Sequence, residues 1–564
     1  MTLIFFLTSF VVLISILGYG LLFSKIINFE KFSYNFGLTG FLGLFFLSLI
    51  LSYDHLIISH NYFHNIFFIL FGLIVFVLLS KKRFNDFKLL FIIFSLLFIA
   101  LLIAKTNEDY PYYHLPNSLQ FAQHKLQFGL GNLNHGFKHI SSLFMLMSFK
   151  YLPFFEHYLF NLTNFCFLVF FVYFVIKELS IKTSNNLNIS QLILCFFLIL
   201  ILAKFSRLAE YGTDLAGQIL VVVFIFYFFE SIFNQKINFK DKVLYFKISI
   251  ILLVFAISTK FILVIYSLIL LLLFISLKEK KKFFFEIIKF KYIIFLILPI
   301  VFLFFFNFSS TGCIIYPVVK TCLSENFNWA LPLDAVKSLN IHYELWSKGG
   351  MGPNFKVDNP ENYIESLNWI PNWISVYFFN KFSDYLLVIS LIIFVFISFF
   401  YKEILKKKKK NKINFNLILF YFLLVLIYLI WFFNFPTLRY AGYIIVYFII
   451  IFPIIIYLNN KIDCKQSANF KKISIIFLVS YIVFFGKNSL RIYNEISLSQ
   501  NNHHNFQNFP FYWVDDVAYE EIKINGFKVY KTKSRCWNIP STCIRAEGGL
   551  KIVRKNNYIF YSHR

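Results

Sequence analysis

Two adjacent carboxylates, Glu108 and Asp109, stand three residues after the apolar run LLFIIFSLLFIALLIA and directly before the segment YPYYHLP. A carboxylate at this place can simply cap the next helix, because Asp is a good N-cap and Pro111 suits a first helical turn. It can also act as a general base toward a substrate hydroxyl, a role typically worth ~10²–10⁴ in rate. These two roles need different neighbours, so the residues that surround the acids decide between them.

Further ionisable residues stand at the ends of other apolar runs. In chain order they are Arg207, Glu210 and Asp214 in KFSRLAEYGTD, Lys260 in AISTKFILV, and Arg439 in NFPTLRYAGY. Charged groups at membrane depth are rare and often functional, although snorkelling or pairing with lipid headgroups also explains some of them. Arg and Lys can hold a phosphate, so this set is a candidate site for a phosphorylated substrate.

Three histidines lie close in sequence to the two acids. His114 follows Asp109 within the same segment, and His135 and His139 come about one helix later. Their spacing matches no zinc motif, so we expect histidines that are hydrogen-bonded at an interface. His114 is added to the candidate phosphate-binding residues because of its nearness to Asp109.

The composition places these residues in a membrane protein. The chain has 564 residues, of which 59% are hydrophobic and 82 are Phe. Its repeated apolar runs of roughly 17–25 residues are long enough to cross a hydrocarbon core of about 30 Å. Only helices or closed barrels satisfy their own backbone hydrogen bonds there. The sequence therefore predicts an all-α polytopic membrane protein with about 14 transmembrane helices. The first run has no basic segment before it and no cleavage site after it, so it is expected to be a retained helix rather than a signal peptide.

The basic residues indicate how the chain is oriented. The net charge is +26, but Lys and Arg collect in alternate loops, which is typical of cytoplasmic loops rather than of a nucleic-acid partner. Both termini are then expected outside. The predicted spans are 2–23, 37–53, 63–80, 88–104, 157–176, 189–204, 214–233, 246–259, 261–277, 291–307, 384–401, 413–432, 440–458 and 472–486, with 246–277 alternatively a single kinked helix.

Cysteine usage supports this orientation. The predicted outer segments include 105–156, 308–383 and the tail 487–564, and Cys313 with Cys322 and Cys536 with Cys543 fall in the last two of these. Paired cysteines are expected on an oxidising face, so both pairs are predicted disulfides.

Two domains follow from this division: a membrane domain over 1–486 and a small outer C-terminal domain over 487–564. In the tail, KVYKTK and the pair KIVR and YIFY around KNN predict short strands in an α+β or β-rich fold, the pair forming a hairpin. The tail has few large apolar residues, so it is expected to need a disulfide or docking onto the membrane domain. The segment IESLNWIPNWISVYFF predicts a helix that lies in the membrane interface.

A lipid-phosphate-linked sugar would match these features. Its apolar tail would stay in the bilayer, while its phosphate and sugar would reach the outer face. Asp109 would deprotonate an acceptor hydroxyl, which would attack the anomeric carbon with inversion. The leaving phosphate is already a stable anion, so no second acid is required, unlike in a glycosidase. Basic side chains, or a metal ion held by Asp109 and Asp214, would neutralise the phosphate.

Several motifs carry a resemblance that agrees with this chemistry. The chain has Asp109 before Tyr113-His114, followed by GLGNLNHGFKHISSLF, SSTGCIIYPV, WIPNWIS, PTLRY and CWNIPSTC. In this order the motifs resemble the LIC_10190-type family of bacterial polytopic membrane proteins, and more distantly the GT-C glycosyltransferases that use polyprenyl-phosphate sugars.

The resemblance implies roles for individual residues. Asp109 or its neighbour Glu108 would be the catalytic acid of the first outer loop, and Asp214 with Glu210 would form a second acidic site. Lys260, Arg439, Arg207 and His114 would bind the donor phosphate, and a divalent Mg or Mn ion is a possible cofactor. The acceptor would be a glycan, a lipid or a protein on the periplasmic side of a bacterial inner membrane.

Two other functions use the same substrate class. A flippase or transporter of lipid-linked glycans suits 14 spans, but it should carry charged or broken-helix sites near the bilayer midplane. A glycan polymerase or ligase of another fold is the second alternative, and the early Asp-x-x-x-Tyr-His element argues against it.

Overall fold

The computed structural model describes residues 1–32, 35–80, 84–103, 106–107, 109–181, 188–205, 208, 212–234, 237–276, 280–352, 355–405, 414–461, 467–498, 517–545 and 548–563. Helices form nearly all of the chain up to Leu498, and short strands form the C-terminal segment. The predicted all-α membrane fold with a small strand-containing appendix is confirmed.

Within the described residues, twelve helices are long and apolar enough to cross a membrane, and two shorter apolar helices accompany them. The twelve are Thr2–Ile26, Phe36–Asp54, Tyr62–Leu79, Phe84–Leu102, His157–Ser180, Gly212–Phe233, Phe239–Thr259, Phe290–Thr311, Ile370–Phe399, Phe415–Asn434, Leu438–Asn459 and Lys471–Ser497. The shorter two are Ile189–Lys204 and Phe261–Ile275. Together they correspond one to one to the fourteen predicted spans, and the chain is a multi-pass membrane protein.

Small residues bring the first three helices into close contact. A Cβ on Gly18 would stand 1.8 Å from the carbonyl oxygen of Gly72, and one on Gly20 would stand 1.9 Å from that of Thr39. Any side chain there would push the helices apart. In a bilayer, where apolar burial between helices drives little, such close backbone packing is a main source of helix association.

One end of the helix bundle collects the predicted site residues. Asp109 follows the end of Phe84–Leu102 and Lys260 the end of Phe239–Thr259, whereas Asp214 and Arg439 lie at the beginnings of their helices. Because the helices alternate in direction, all four residues lie at the same end, which we call the site end. Cys313, after the end of Phe290–Thr311, lies there too.

The structure extends two predicted elements. The interfacial helix predicted over WIPNWISVYFF is continuous with the following span in the helical run Ile370–Phe399. The last helix, Ser467–Leu498, continues past the predicted domain boundary at residue 486. The predicted break near residue 260 is present, because Lys260 leaves helical geometry with φ −155° and ψ 106° between Phe239–Thr259 and Phe261–Leu270.

The C-terminal segment contains two hairpins. Glu520–Ile524 pairs antiparallel with Phe527–Lys531, and Lys551–Lys555 pairs antiparallel with Tyr558–Ser562. The short strand Cys543–Ile544 adds in parallel to Phe527–Lys531. The second hairpin is the predicted one. The first was missed, although Asn525-Gly526 between alternating residues is a strong hairpin signal and both residues have positive φ.

This segment is held by both of the devices expected for it. Disulfides join Cys536 to Cys543 and Cys313 to Cys322, as predicted. In addition, the Phe128 N–H donates to the Ile559 carbonyl and the Tyr561 N–H donates to the Phe128 carbonyl, each at 2.9 Å. The last strand therefore extends onto the 105–156 segment, where a small apolar core forms from Leu130, Leu133, Phe137, Val529, Ile544, Leu550, Ile552 and Tyr561.

Candidate functional site

Asp109 is not a helix cap. Its side chain accepts no hydrogen bond from the N–H groups of the turn Tyr110–His114 that it precedes. The capping is done by Asn107, whose Oδ1 accepts from the Tyr110 N–H at 2.8 Å. The carboxylate of Asp109 turns instead to Arg439, which donates to its Oδ2 from Nη2. The simpler of the two roles considered for Asp109 is therefore wrong.

Asp214 is the buried acid of the cluster. It lies in the first turn of Gly212–Phe233, where the helix dipole favours a negative charge, and only 1% of its side chain is exposed. Its Oδ1 accepts from Lys260 Nζ, and its Oδ2 accepts from Arg439 Nε at 3.0 Å. Both oxygens of this carboxylate thus have a charged partner, which a buried ion requires.

Lys260 reaches the cluster from the break between two helices. Its Nζ donates to Asp214 and, at 2.9 Å, to the carbonyl oxygen of Arg439. The same Nζ lies 5.3 Å from the centroid of the Tyr440 ring, within the range of a cation–π interaction. One lysine therefore contacts both the acid and the turn that carries the arginine.

Arg439 bridges the two acids from the turn Leu438–Gly442. This turn is not regular helix, since Ala441 has φ 70°. Two tryptophans hold the two residues before the turn: Trp373 Nε1 donates to the Pro436 carbonyl and Trp431 Nε1 donates to the Thr437 carbonyl. Two tyrosines hold the turn itself: Tyr266 Oη donates to the Ala441 carbonyl, and Tyr377 Oη accepts from the Leu438 N–H. All four distances lie between 2.7 and 3.0 Å. The tryptophan motif WIPNW and the motif PTLRY are thus in direct contact.

The cluster contains two acids and two cations, and the charge of Arg439 affects the protonation of Asp109. Burial would raise the pKa of Asp109, but the neighbouring Arg439 outweighs this effect and holds that pKa below its ordinary value. Burial likewise lowers the pKa of Lys260, and Asp214 opposes that change. Asp109 is therefore ionised at neutral pH. A quarter (25%) of its side chain is exposed, whereas the side chain of Asp214 is enclosed.

His114 lies beside the cluster as a neutral ring. Burial lowers its pKa to about 4, and the nearby Asp109 only partly offsets that effect. A neutral ring can still donate one N–H to a phosphate oxygen, so the phosphate-binding role of His114 stays a prediction. The ring lies against Gly212, where a Cβ would come within 1.9 Å of His114 Cε1 and where φ is +43°. Glycine is required here twice over, by space and by backbone conformation.

A layer of aromatic and imidazole rings borders the cluster. Tyr343 Oη lies 2.9 Å from His135 Nε2 and 3.3 Å from His139 Nε2. The His139 ring packs on Tyr113, and the His135 ring is stacked on Tyr112. Burial lowers the pKa of His135 to about 3 and that of His139 to about 4, so both are neutral at pH 7. The expectation of hydrogen-bonded histidines is met by His135 and His139, whereas Nε2 of His114 is buried without a hydrogen-bond partner among the described residues.

The structure brings together Asp109, Asp214, Lys260 and Arg439, and it places His114 beside them. Glu108, Arg207 and Glu210, which the sequence also singled out, lie outside the described residues. The possible Mg or Mn site fits poorly, because Arg439 already lies between Asp109 and Asp214. Among the described residues, no group of three or more His, Cys, Asp or Glu side chains is placed to hold a metal ion.

Sequence reasoning missed the residues that position the cluster. Tyr440, Tyr343 and Asn107 contact it or its immediate neighbours, yet the sequence analysis assigned none of them a role in the site. Tyr440 follows Arg439 directly, so the aromatic residue of PTLRY was a usable signal. Tyr343 had none, because it lies more than 200 residues from the histidines that it contacts.

Comparison with known proteins gives one match. No curated protein and no solved structure matches the chain. Residues 1–447 match the model of a family described as a domain of unknown function, DUF8201. That match covers the first twelve of the fourteen helices and the beginning of Leu438–Asn459, and it ends after the Arg439 turn, so it contains every residue of the cluster. The chain belongs to the DUF8201 family.

Proposed function

We propose that this protein is a membrane glycosyltransferase of the GT-C type. It moves a sugar from a polyprenyl-phosphate donor to an acceptor on the periplasmic face of a bacterial inner membrane. The observation that carries the proposal is the convergence of Asp109, Asp214, Lys260 and Arg439 from four distant parts of the chain. They meet at the end of a helix bundle, where the phosphate of a lipid-anchored donor would lie.

The two cations are suited to a phosphate. Arg439 keeps 42% of its side chain exposed although it contacts two acids, so a ligand can reach its guanidinium. Guanidinium groups bind phosphate oxygens by paired, charge-assisted hydrogen bonds. Asp214 is the enclosed partner that would keep Lys260 and Arg439 in place while the phosphate binds. In this arrangement Asp214 is a positioning residue.

Asp109 is the proposed base, and its pairing with Arg439 lets its basicity change when the donor binds. In the free protein Arg439 holds the pKa of Asp109 low, which makes the carboxylate a weak base. A donor phosphate that draws Arg439 toward itself would weaken that pair. Burial would then dominate and raise the pKa of Asp109, so the base would gain strength when the donor is bound.

The reaction then needs no group beyond these residues. The Asp109 carboxylate takes the proton of the acceptor hydroxyl, and the hydroxyl oxygen attacks the anomeric carbon. The bond from that carbon to the phosphate oxygen breaks with inversion. Its electron pair leaves on polyprenyl phosphate, whose charge Arg439 and Lys260 stabilise.

A lipid analysis of cells tests this proposal. Cells that lack the gene are expected to accumulate a polyprenyl-phosphate sugar, detected by mass spectrometry of lipid extracts. Complementation with wild type or with Asp334→Asn should remove the excess polyprenyl-phosphate sugar. Asp334 is the matched control because it is an exposed acid on the 308–383 segment. Asp109→Asn should leave the excess in place. Unchanged donor levels in the deletion, or clearance by Asp109→Asn, would contradict the proposal.

A further inference from the structure

A second charged region lies above the ring layer, between the 105–156 segment and the C-terminal segment. It is an open cavity of about 560 Å³, within the range of ligand sites. Its polar lining includes Lys138, Lys533, Arg545, Asn134, His135 and His563. Among the described residues that line it, none is acidic.

The three cations of this cavity differ from those that form ion pairs at the site end. Lys260, Arg439 and Lys348 each pair with an Asp or a Glu. By contrast, no described carboxylate forms an ion pair with Lys138, Lys533 or Arg545. Three like charges around one cavity repel one another, and an anion between them would remove that repulsion.

Lys138 is the innermost of the three. It lines the cavity, its side chain is partly buried, and its stem lies against Gly131. Burial lowers its pKa to about 8. Lys533 and Arg545 are exposed and come from two different loops of the C-terminal segment. The cavity thus exists only because that segment is docked on the membrane domain.

Hydrogen bonds fix the 105–156 segment and the C-terminal segment, which form the two walls of the cavity, relative to each other. Asn134 Nδ2 donates to Cys536 Sγ at 3.0 Å, and the Trp537 N–H donates to the Pro111 carbonyl at 3.2 Å. The ring nitrogens of His563 lie 2.9 Å from the carbonyl oxygens of Asn132 and Gly548. None of these contacts uses the side chain of Lys138, Lys533 or Arg545, for which no partner is found among the described residues.

The cavity is also connected to the Asp109 cluster. His135 lines it and contacts Tyr343, which in turn contacts His139 beside Asp109. Burial raises the pKa of Tyr112 in this layer, and the nearby Arg545 opposes that rise. The rings of His135, Tyr343 and His139 therefore connect the cavity to the proposed base.

We propose that this cavity binds a phosphate or carboxylate group of an acidic glycan acceptor. The role as acceptor site rests on the proposed function, whereas binding of the anion does not. The donor lipid would reach the cluster from the bilayer side, and the acceptor would reach it from the cavity. Carboxylates and phosphates are the groups that a fork of Lys and Arg side chains recognises. The asparagine and histidine side chains of the lining can donate hydrogen bonds to sugar hydroxyls.

Ligand binding to the purified full-length protein tests the site directly. The probes are digalacturonate and maltose 1-phosphate, with maltose as the neutral control, measured by saturation-transfer NMR in nanodiscs of phosphatidylcholine. We expect the acidic probes to bind at least about tenfold more tightly than maltose, since each charge-assisted contact contributes strongly. Equal binding of the three sugars would overturn the proposal.

Variants locate the binding. Lys138→Gln with Arg545→Gln should remove the preference for acidic probes, and Lys533→Gln alone should weaken it. Lys551→Gln with Lys555→Gln makes the same charge change on the exposed hairpin of the same segment and should have no effect. Full binding by the cavity variants would overturn the assignment, and matched thermal unfolding midpoints exclude misfolding as the cause of a loss. Loss of probe binding in nanodiscs with phosphatidylglycerol would show that a lipid headgroup occupies the cavity, and would overturn the acceptor role.

The same protein separates this inference from the proposed function. Asp109→Asn should bind the acidic probes like wild type, because Asp109 does not line the cavity. If Asp109→Asn also transferred sugar like wild type, the catalytic proposal would fail and the anion site would stand. If binding were lost only in the cavity variants and transfer required a higher acceptor concentration, both would be supported.

Discussion

Arg439 is the residue on which the cluster depends, because its guanidinium contacts both Asp109 and Asp214. The two acids are therefore not equivalent. Asp214 is enclosed and has a charged partner at each oxygen, so the proposed function assigns it the role of holding the cations in place. Asp109 is partly exposed, and among the described residues its carboxylate pairs with Arg439 alone, so the proposed function has it exchange that partner for a substrate. This difference leads to two predictions for single residues.

The pH dependence of transfer should differ between the free protein and the donor complex. In the free protein, Arg439 keeps the pKa of Asp109 below its ordinary value, so the base is lost only as the pH falls well into the acid range. Donor binding should raise that pKa. We therefore expect the acid limb of kcat to lie at a higher pH than that of kcat/KM, measured from steady-state rates with saturating and limiting donor. Coinciding limbs would contradict the exchange of partners.

Asp214→Ala should destabilise the protein more than Asp109→Ala. Removal of Asp214 leaves Lys260 and Arg439 without their shared buried partner, and breaking a buried pair typically costs about 3–5 kcal/mol. Asp109 is more exposed, so its loss should cost clearly less. Thermal unfolding of the purified protein in detergent checks this order, with Asp334→Ala as an exposed control. A smaller loss for Asp214→Ala than for Asp109→Ala would show that Asp214 does not hold the cluster.

At the scale of elements, the cluster is built from irregular places between helices. Lys260 lies where one helix breaks, and Arg439 lies in a turn that contains a residue with positive φ. Gly212 begins the helix of Asp214, and the His114 ring lies so close to it that a Cβ would not fit. Helix positions were readable from the sequence, because apolar runs and caps are local signals. The contacts of Arg439 with Asp109 were not, because 330 residues separate the two.

Gly212→Ala tests this dependence on local geometry. The new Cβ would stand 1.9 Å from His114 Cε1, and an alanine with φ near +43° is itself strained by about 1–3 kcal/mol. We expect a lower unfolding midpoint and a loss of transfer that exceeds the loss of folded protein. Gly486→Ala is the control, since nothing lies within 4 Å of its added Cβ and alanine favours a helix. A Gly212→Ala protein as active and stable as this control would contradict the packing.

The whole molecule places two charged regions on one end of a membrane bundle. The sequence predicted the positions of fourteen apolar helices, of which twelve are long enough to cross a membrane, together with both disulfides and the second C-terminal hairpin. Each of these depends on composition, spacing or a local turn. The sequence did not predict that the last strand would add to the 105–156 segment at Phe128, since such docking depends on a shape that forms only after folding. The basic cavity could not be predicted from the sequence for the same reason, because its lining comes from both segments.

The disulfide of the 308–383 segment should matter for yield rather than for chemistry. Cys322→Ser removes a cross-link over 9 residues, which is expected to cost roughly 2–4 kcal/mol. Its sulfur lies outside the Asp109 cluster, so the activity per folded molecule should stay unchanged. Quantified membrane yield and the transfer rate at equal protein amounts check this expectation. Reactive thiols at both Cys313 and Cys322 in protein from the native membrane would contradict the bridge.

The most direct measurement is the mass profile of surface glycans from cells that lack the gene. The cells are complemented with wild type, Asp109→Asn or Asp334→Asn at matched protein levels. If Asp109 is the base of a sugar transfer, the deletion lacks one sugar unit, wild type and Asp334→Asn restore it, and Asp109→Asn does not. Full restoration by Asp109→Asn would contradict the account and favour a transporter of lipid-linked glycans.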